Sequence, residues 1–321
     1  MSLIINDLTK TFHKASAPAL DHVNLTLEPG IHGLFGRNGA GKSTLLATIA
    51  NRLLPTSGDV ELDGEDVRDN EHAQARIHLV NETLPFLFGM RVSAFLKREG
   101  RYYGGIDGEA AARMLAAFGI KTNASYGGLS FGQRQIVRLV AGLCLPVDVL
   151  LLDEPVNGLD AANRERFYRF LIESFAERPR VIVVSTHIID EVAQVVERAV
   201  ILDHGRVVDA FDAGDVASRA TVLVGDGTRV NAFVHAEGLQ PVAVERMGRL
   251  ATVTVRGHVD ERDVPDGIAV SGLGLQDYFI RVTGDGGTAG KGSVAGTMDD
   301  MVVDGAANGS ADAVTGGDRD A

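Results

Sequence analysis

A nine-residue stretch, Gly36-Arg37-Asn38-Gly39-Ala40-Gly41-Lys42-Ser43-Thr44, limits what this chain can be more than any other. It fits the phosphate-loop pattern G-x-x-x-x-G-K-[ST] without a mismatch. Glycines in such a loop let successive backbone N–H groups turn inward onto phosphates. Lys42 adds a point charge, and the Ser43 hydroxyl suits a Mg2+ ligand. Gly33-Leu34-Phe35 ahead of the loop reads as the end of a buried strand, and residues 44–50 behind it read as a helix. Strand, glycine-rich loop and helix N-terminus together concentrate partial positive charge on an anion. Alone, the motif specifies a nucleoside triphosphate and leaves kinase, GTPase and ATPase chemistry open.

The strands that follow deliver polar groups at their C-terminal ends, where ligands of open α/β sheets bind. Ile77-His78-Leu79-Val80 ends at Asn81-Glu82. Val149-Leu150-Leu151-Leu152, an unbroken apolar run of the kind buried on both faces, ends at Asp153-Glu154. Val181-Ile182-Val183-Val184 ends at Ser185-Thr186-His187. Asp153 is placed to hold Mg2+ through water, Glu154 to orient or deprotonate an attacking water, and His187 to reach a γ-phosphate. Near the start, Leu3-Ile4-Ile5 opens a strand. Phe12 after it offers either a core side chain or an aromatic face of the kind that stacks on adenine.

Between residues 83 and 128 the pattern turns helical. Ala111, Met114, Leu115 and Phe118 share one face of a helix that Gly119 stops. Leu84-Pro85-Phe86-Leu87-Phe88 is an apolar cluster in a loop, either core or a docking surface. Leu129-Ser130-Phe131-Gly132-Gln133 precedes a further helix, with Ser130 suited to cap it. Residues 164–176 read as an amphipathic helix, 190–196 as another, and 199–210 as a hairpin. Beyond about residue 215, short strands at 222–224, 230–234, 242–245 and 251–255 suggest a small β-rich appendage, closed by a helix near 275–280. From residue 284 there is no aromatic residue and Gly, Ala, Asp and Ser dominate, the composition of disorder.

Composition narrows the function. The formal net charge is −12, of which the last 38 residues, with seven Asp against Lys291 and Arg319, supply five charges. That balance argues against nucleic acid as the main partner, which calls for a basic footprint. No run of about 18 apolar residues is present; the best candidate, 139–147, is flanked by Arg138 and Asp148 and contains Pro146. No secretory leader is visible, and Cys144 alone offers no disulfide framework. The cytosol is the expected compartment.

Taken together, over roughly residues 1–215, these motifs resemble the ATP-binding subunit of an ABC transporter. Residues 36–44 look like Walker A, 129–133 like the ABC signature, 150–154 like Walker B, Asn157-Gly158-Leu159-Asp160 like the D-loop and His187 like the switch histidine. The fold implied is α/β, a P-loop NTPase of ABC type with a mixed sheet, an inserted helical subdomain at about 83–145 and a small β-rich C-terminal extension. Residues 1–215 would be the ATPase domain, 216–283 the extension and 284–321 a disordered tail.

The resemblance implies ATP and Mg2+ as cofactors. Gly36, Asn38, Gly39, Ala40, Gly41, Lys42, Ser43 and Thr44 would hold phosphate, Phe12 the adenine, and Ser43, Asp153 and Glu82 the metal. Two such domains would sandwich two ATP molecules head to tail, so that Ser130, Gly132 and Gln133 cover the nucleotide on the partner's Lys42. Binding closes such a dimer and hydrolysis reopens it. Asp160 belongs to the D-loop, and Glu154 and His187 are the catalytic pair. Glu82, Phe131 and Asn157 depart from the commoner glutamine, glycine and serine; Glu82 implies activity with altered coupling, and Phe131, which keeps Ser130 and Gly132 beside it, implies adjusted packing at the interface.

The expected role is the energy module of an exporter of the drug- and bacteriocin-resistance kind, on the cytoplasmic face of the cell membrane. It would act with a separate polytopic subunit, as a homodimer or with a related ATPase chain. A soluble ABC ATPase acting on ribosomes or DNA, and an ATP-binding regulatory subunit with little turnover, are the alternatives.

Overall fold

The computed structural model describes residues 1–13, 15–81 and 89–283, all within one compact unit spanning residues 1–287. Glu82, the cluster at 84–88 and the tail from 284 to 321 lie outside the described residues. In chain order the elements are β1 (Leu3–Lys10), β2 (Leu20–Leu27), β3 (Gly30–Phe35), α1 (Lys42–Ile49), β4 (Ser57–Leu62), β5 (Glu65–Asp66), α2 (Glu71–Gln74) and β6 (Ile77–Val80). Next come α3 (Val92–Tyr102), α4 (Gly108–Ala117), α5 (Phe131–Cys144), β7 (Val149–Asp153), α6 (Ala161–Glu177), β8 (Val181–Ser185), α7 (Ile189–Val192), β9 (Arg198–Asp203) and β10 (Arg206–Asp212). The chain continues through α8 (Val216–Arg219), β11 (Ala220–Asp226), α9 (Gly227–Ala236), β12 (Pro241–Met247), β13 (Leu250–Arg256), β14 (Ile268–Gly272) and α10 (Leu275–Thr283).

Among the described residues the strands form three sheets. The central one has the order β10-β9-β3-β8-β7-β6, parallel from β9 to β6 with β10 returning antiparallel at one edge. It is the mixed α/β sheet expected from the sequence. Every residue of β3, β6 and β8 is buried, which is why these segments read as apolar runs without alternation. Alternation still decides the faces, because successive side chains of a strand point opposite ways. Leu150, Leu152, Ile182 and Val184 enter the core beneath α3, α4, α5 and α6. Val149, Leu151, Val181 and Val183 enter the core shared with α1 and the antiparallel sheet β2-β1-β4-β5.

The third sheet, antiparallel in the order β12-β13-β11-β14, has its own small core of Leu223, Val230, Phe233, Val253, Val255 and Ile268. Two expectations are corrected here. Residues 230–234 are not a strand but lie within α9, because Asp226 accepts from the N–H groups of Thr228 and Arg229 as an N-cap and Val230 and Phe233 are both buried at a spacing of three. The helix expected over 190–196 is the single turn α7. β14, flanked by glycines in a short segment, had no sequence signature strong enough to read.

α10 returns from this sheet to the main core, where Leu275, Tyr278 and Val282 are buried. The Tyr278 ring meets Phe211 edge to face at 5.3 Å, and its hydroxyl donates to Asp209 Oδ2 at 2.6 Å. Arg219 pairs with the same Asp209 and lies 4.9 Å over the Phe211 ring. Burial, together with the Asp209 carboxylate, pushes the Tyr278 hydroxyl up to about 12, so it remains a donor throughout the neutral range. Tyr278→Phe keeps the ring and removes this one donor. We expect a stability loss of about 1 kcal/mol, read as a lower Tm, whereas Ile280→Ala on the exposed side of the same helix should change stability by less than about 0.5 kcal/mol.

Candidate functional site

The phosphate loop leaves β3 at Phe35 and enters α1 at Lys42. Two of its glycines are dictated by space. A Cβ on Gly36 would lie 2.5 Å from the carbonyl oxygen of Leu202. Gly41 has φ +107°, and a Cβ there would lie 2.5 Å from the carbonyl oxygen of Ala19. Gly41 is also the N-cap of α1, and no side chain caps that end of the helix. The loop therefore presents backbone N–H groups at a helix start, an arrangement that favours an anion. Lys42 is buried and folds back to donate to the carbonyls of Gly36 at 2.7 Å and Arg37 at 3.3 Å. Burial lowers its pKa below the usual lysine range, and the nearby carboxylates of Glu154 and Asp153 partly oppose that shift.

Those carboxylates arrive from the next strands. β7 and β8 run parallel with Asp153 opposite Ser185. Just past this register Glu154 adopts the left-handed region at φ +46°, and its N–H donates to the carbonyl of Ser185 at 2.9 Å. The turn brings Glu154 Oε2 within 2.9 Å of His187 Nδ1. A non-glycine residue held at positive φ carries a backbone cost that its surroundings must offset. The Glu154 carboxylate is mostly enclosed whereas the His187 ring is half exposed.

Asp153 Oδ1 is buried and has no hydrogen-bond partner among the described residues. A buried carboxylate oxygen without a donor is costly, and a hard cation offers the compensation. No group of three or more His, Cys, Asp or Glu able to hold a metal occurs among the described residues. Asp153 Oδ1 and the Ser43 hydroxyl in the first turn of α1 are hard oxygen donors, the kind that takes Mg2+ together with substrate phosphates.

The remaining site residues lie at the start of α5, at the start of α6 and between β1 and β2. Ser130 and Gln133 form a reciprocal capping box: Gln133 N–H donates to Ser130 Oγ at 3.2 Å and Ser130 N–H to Gln133 Oε1 at 3.0 Å. Ser130 and Phe131 are exposed, and among the described residues no hydrogen bond links 130–133 to 36–44. Asp160 caps α6 by accepting from Asn163 N–H at 2.8 Å. Phe12 is 45% exposed with Lys10 Nζ 5.4 Å from its ring centroid. The phosphate loop, Lys42, Asp153, Glu154 and His187 therefore come together within one chain, whereas Phe12 and Ser130 are exposed and Gly132 and Gln133 half-buried at the start of α5.

Two connections were not evident in the sequence. Arg138, 5% exposed within α5, donates to the Asn81 carbonyl at 3.0 Å and to Gln135 Oε1. Gln135 Nε2 in turn donates to the Pro155 carbonyl at 3.1 Å. This buried network ties α5 to the ends of β6 and β7; its one sequence signal is an arginine set between the apolar pairs Ile136-Val137 and Leu139-Val140. Arg37, in the phosphate loop, donates to the carbonyl of Thr283 at the end of α10, 3.4 Å away. No local pattern announces that contact.

The family described as ABC transporter matches residues 20–157. Over 313 residues the chain is 28% identical to a bacitracin transport ATP-binding protein of Bacillus licheniformis, covering 90% of this chain and 100% of that one. It is 30% identical over 291 residues to a sulfate/thiosulfate import ATP-binding protein of Rhodopseudomonas palustris, covering 88% and 79%. With a probable multidrug ABC transporter ATP-binding protein of Escherichia coli strain K12 it shares 33% over 241 residues, 71% of this chain but 40% of that one. Among solved structures, an ATP-binding subunit of an ABC transporter superposes with a TM-score of 0.61 at 24% identity, covering 67% of this chain and 92% of that chain. A bacterial ABC transporter cassette solved as a dimer gives 0.59 at 24%, covering 66% and 98%. At these identities the structural likeness speaks for the fold.

If the orphaned oxygen of Asp153 awaits a cation, Asp153→Asn should weaken ATP binding in Mg2+ by roughly 10- to 100-fold, the scale seen for perturbed metal sites. Binding in excess chelator should be little changed. Calorimetric titration under the two conditions measures the difference, and equal loss in both would show that Asp153 serves the fold instead.

Proposed function

We propose that this chain, which belongs to the ABC transporter family, is the subunit that binds and hydrolyses ATP to drive export through a separate membrane subunit. The observation that carries the reading is the Glu154 and His187 pair, 2.9 Å apart at neighbouring parallel strand ends and facing a buried loop lysine. Glu154 takes the proton of the attacking water. His187 fixes the carboxylate through Nδ1 and leaves its other ring nitrogen for the γ-phosphate. Lys42, now resting on loop carbonyls, transfers its hydrogen bonds to the phosphates as they displace it. Ser43 and Asp153, with Glu82 as a further ligand, would hold Mg2+, which would supply neutralisation of phosphate charge there.

In this reading residues 1–215 are the ATPase domain, and the helical part at about 83–145 grips the membrane subunit. Residues 216–283 are an extension. Two chains pair head to tail, so that Ser130, Gly132 and Gln133 of one cover the nucleotide of the other, Phe12 stacks on adenine, and Asp160 lines the seam. Exposure of Ser130 and Phe131, away from their own phosphate loop, supports this arrangement. So does the fold shared with a cassette solved as a dimer. A related ATPase chain can take the second place in a heterodimer. The complex sits on the cytoplasmic face of the membrane.

Export is favoured by similarity to a bacitracin transport protein over that protein's whole length. Import is the second reading, favoured by the likeness to a sulfate/thiosulfate import protein over 79% of its length.

Glu154→Gln retains shape and removes the base. Turnover should fall by about 10² or more while ATP binding persists, and wild-type turnover in this variant would sink the assignment. Purifying the chain from detergent-solubilised membranes should bring a polytopic membrane protein in near-equal amount, identified by mass spectrometry. Recovery with ribosomal or DNA-associated proteins, or alone, would replace the transporter reading with a soluble ATPase.

A further inference from the structure

Phe131 is the first residue of α5 and is 46% exposed. Its ring is nonetheless fitted against backbone. A Cβ on Gly158 would lie 2.7 Å from two atoms of the Phe131 ring, and Gly158 sits at φ +75°. Next to it, a Cβ on Gly132 would lie 2.7 Å from the carbonyl oxygen of Gly158. One turn further along α5, Gln135 donates to the carbonyl of Pro155. The four-residue turn from Pro155 to Gly158 is therefore pinned to α5 at both ends, by a hydrogen bond at one and by a ring on a bare glycine at the other. Glu154 stands immediately before that turn, and Asn157 N–H donates back to its carbonyl at 3.2 Å.

We propose that Phe131 is a positioning residue that makes the start of α5 and the turn 155–158 move as one piece, so that a ligand engaged by α5 repositions Glu154 of the same chain. The inference rests on the dimer reading above. In that arrangement the α5 start covers ATP held by the partner, whereas Glu154 acts on ATP held by its own loop. The Phe131 ring thus links two nucleotides through a single rigid segment, and occupancy of one site promotes reaction at the other. The ring suits this task because a glycine at 158 leaves it room to seat on backbone, and close-packed contacts transmit displacement.

Hydrolysis by the full-length chain, measured against ATP concentration, tests the link. Wild type should give a Hill coefficient between 1 and 2, as two coupled sites allow. Phe131→Ala should bring it close to 1 with ATP affinity changed by less than about twofold, while Phe131→Tyr, which retains the ring, should keep the wild-type value. A second measurement needs no turnover: the fall in Tm caused by Gly158→Ala should be smaller in the Phe131→Ala background, because the added Cβ no longer meets the ring.

Unchanged cooperativity in Phe131→Ala, equal loss in Phe131→Tyr, or strictly additive Tm shifts would each overturn the proposal. So would a wild-type Hill coefficient of 1 with normal turnover, which leaves the ATPase reading standing. Absence of hydrolysis by wild type with its membrane partner would instead remove the proposed function, and this inference with it.

Discussion

The parallel register of β3, β8 and β7 is the constraint on which everything at the site depends. Gly30 pairs with Val181 and Val149 with the same residue, so the three strands finish side by side and release the phosphate loop, His187 and Glu154 along one edge. A slip of one residue would turn each side chain to the opposite face of the sheet. It would exchange Leu150 and Leu152 for Val149 and Leu151 in the core under α5, and it would move Glu154 about 3.3 Å from His187. Both faces are close-packed, so a shifted register would have to be repacked in two cores at once. The chemistry is therefore held by apolar packing that never touches the nucleotide.

Polar groups inside that packing have a different part. Arg138 and Gln135 are nearly inaccessible, and burying such groups is tolerable only when their hydrogen bonds are met. Each donates to a backbone carbonyl just past the end of β6 or β7, a choice that also fixes where α5 stands relative to the acidic edge. Arg180 does the same lower down, donating to the carbonyls of Leu143 and Leu145 that α5 leaves open at its end. α5 is held by charged side chains at its middle and its end, and by the Phe131 ring at its beginning.

Much of this was legible in the sequence, and the division has a physical reason. The phosphate loop, the apolar strands and the acids after them are specified by neighbours a few residues away, so Gly36, Lys42, Asp153 and Glu154 could be read in order along the chain. Ser130 as a helix cap was equally local. What escaped is set by tertiary contact. Residues 230–234 have the β-branched composition of a strand, yet Asp226 and the buried pair Val230 and Phe233 make them helical. Phe131 on Gly158, Arg138 on Asn81 and Arg37 on Thr283 join residues far apart in the chain, and no periodicity encodes such meetings. Pairing of Glu154 with His187 lies between: both were evident as strand-end groups, but their separation needed the register of β7 and β8.

α10 has a consequence for how this molecule can be observed. Its buried face is fastened to β10 through Tyr278 and Asp209, and its final carbonyl lies against Arg37 in the phosphate loop. The end of this helix thus stands beside the phosphate loop, although the chain reaches it from the third sheet. A small fluorophore at the outward-facing Ile280 would therefore sit one helical turn from this junction, without any label entering the loop itself.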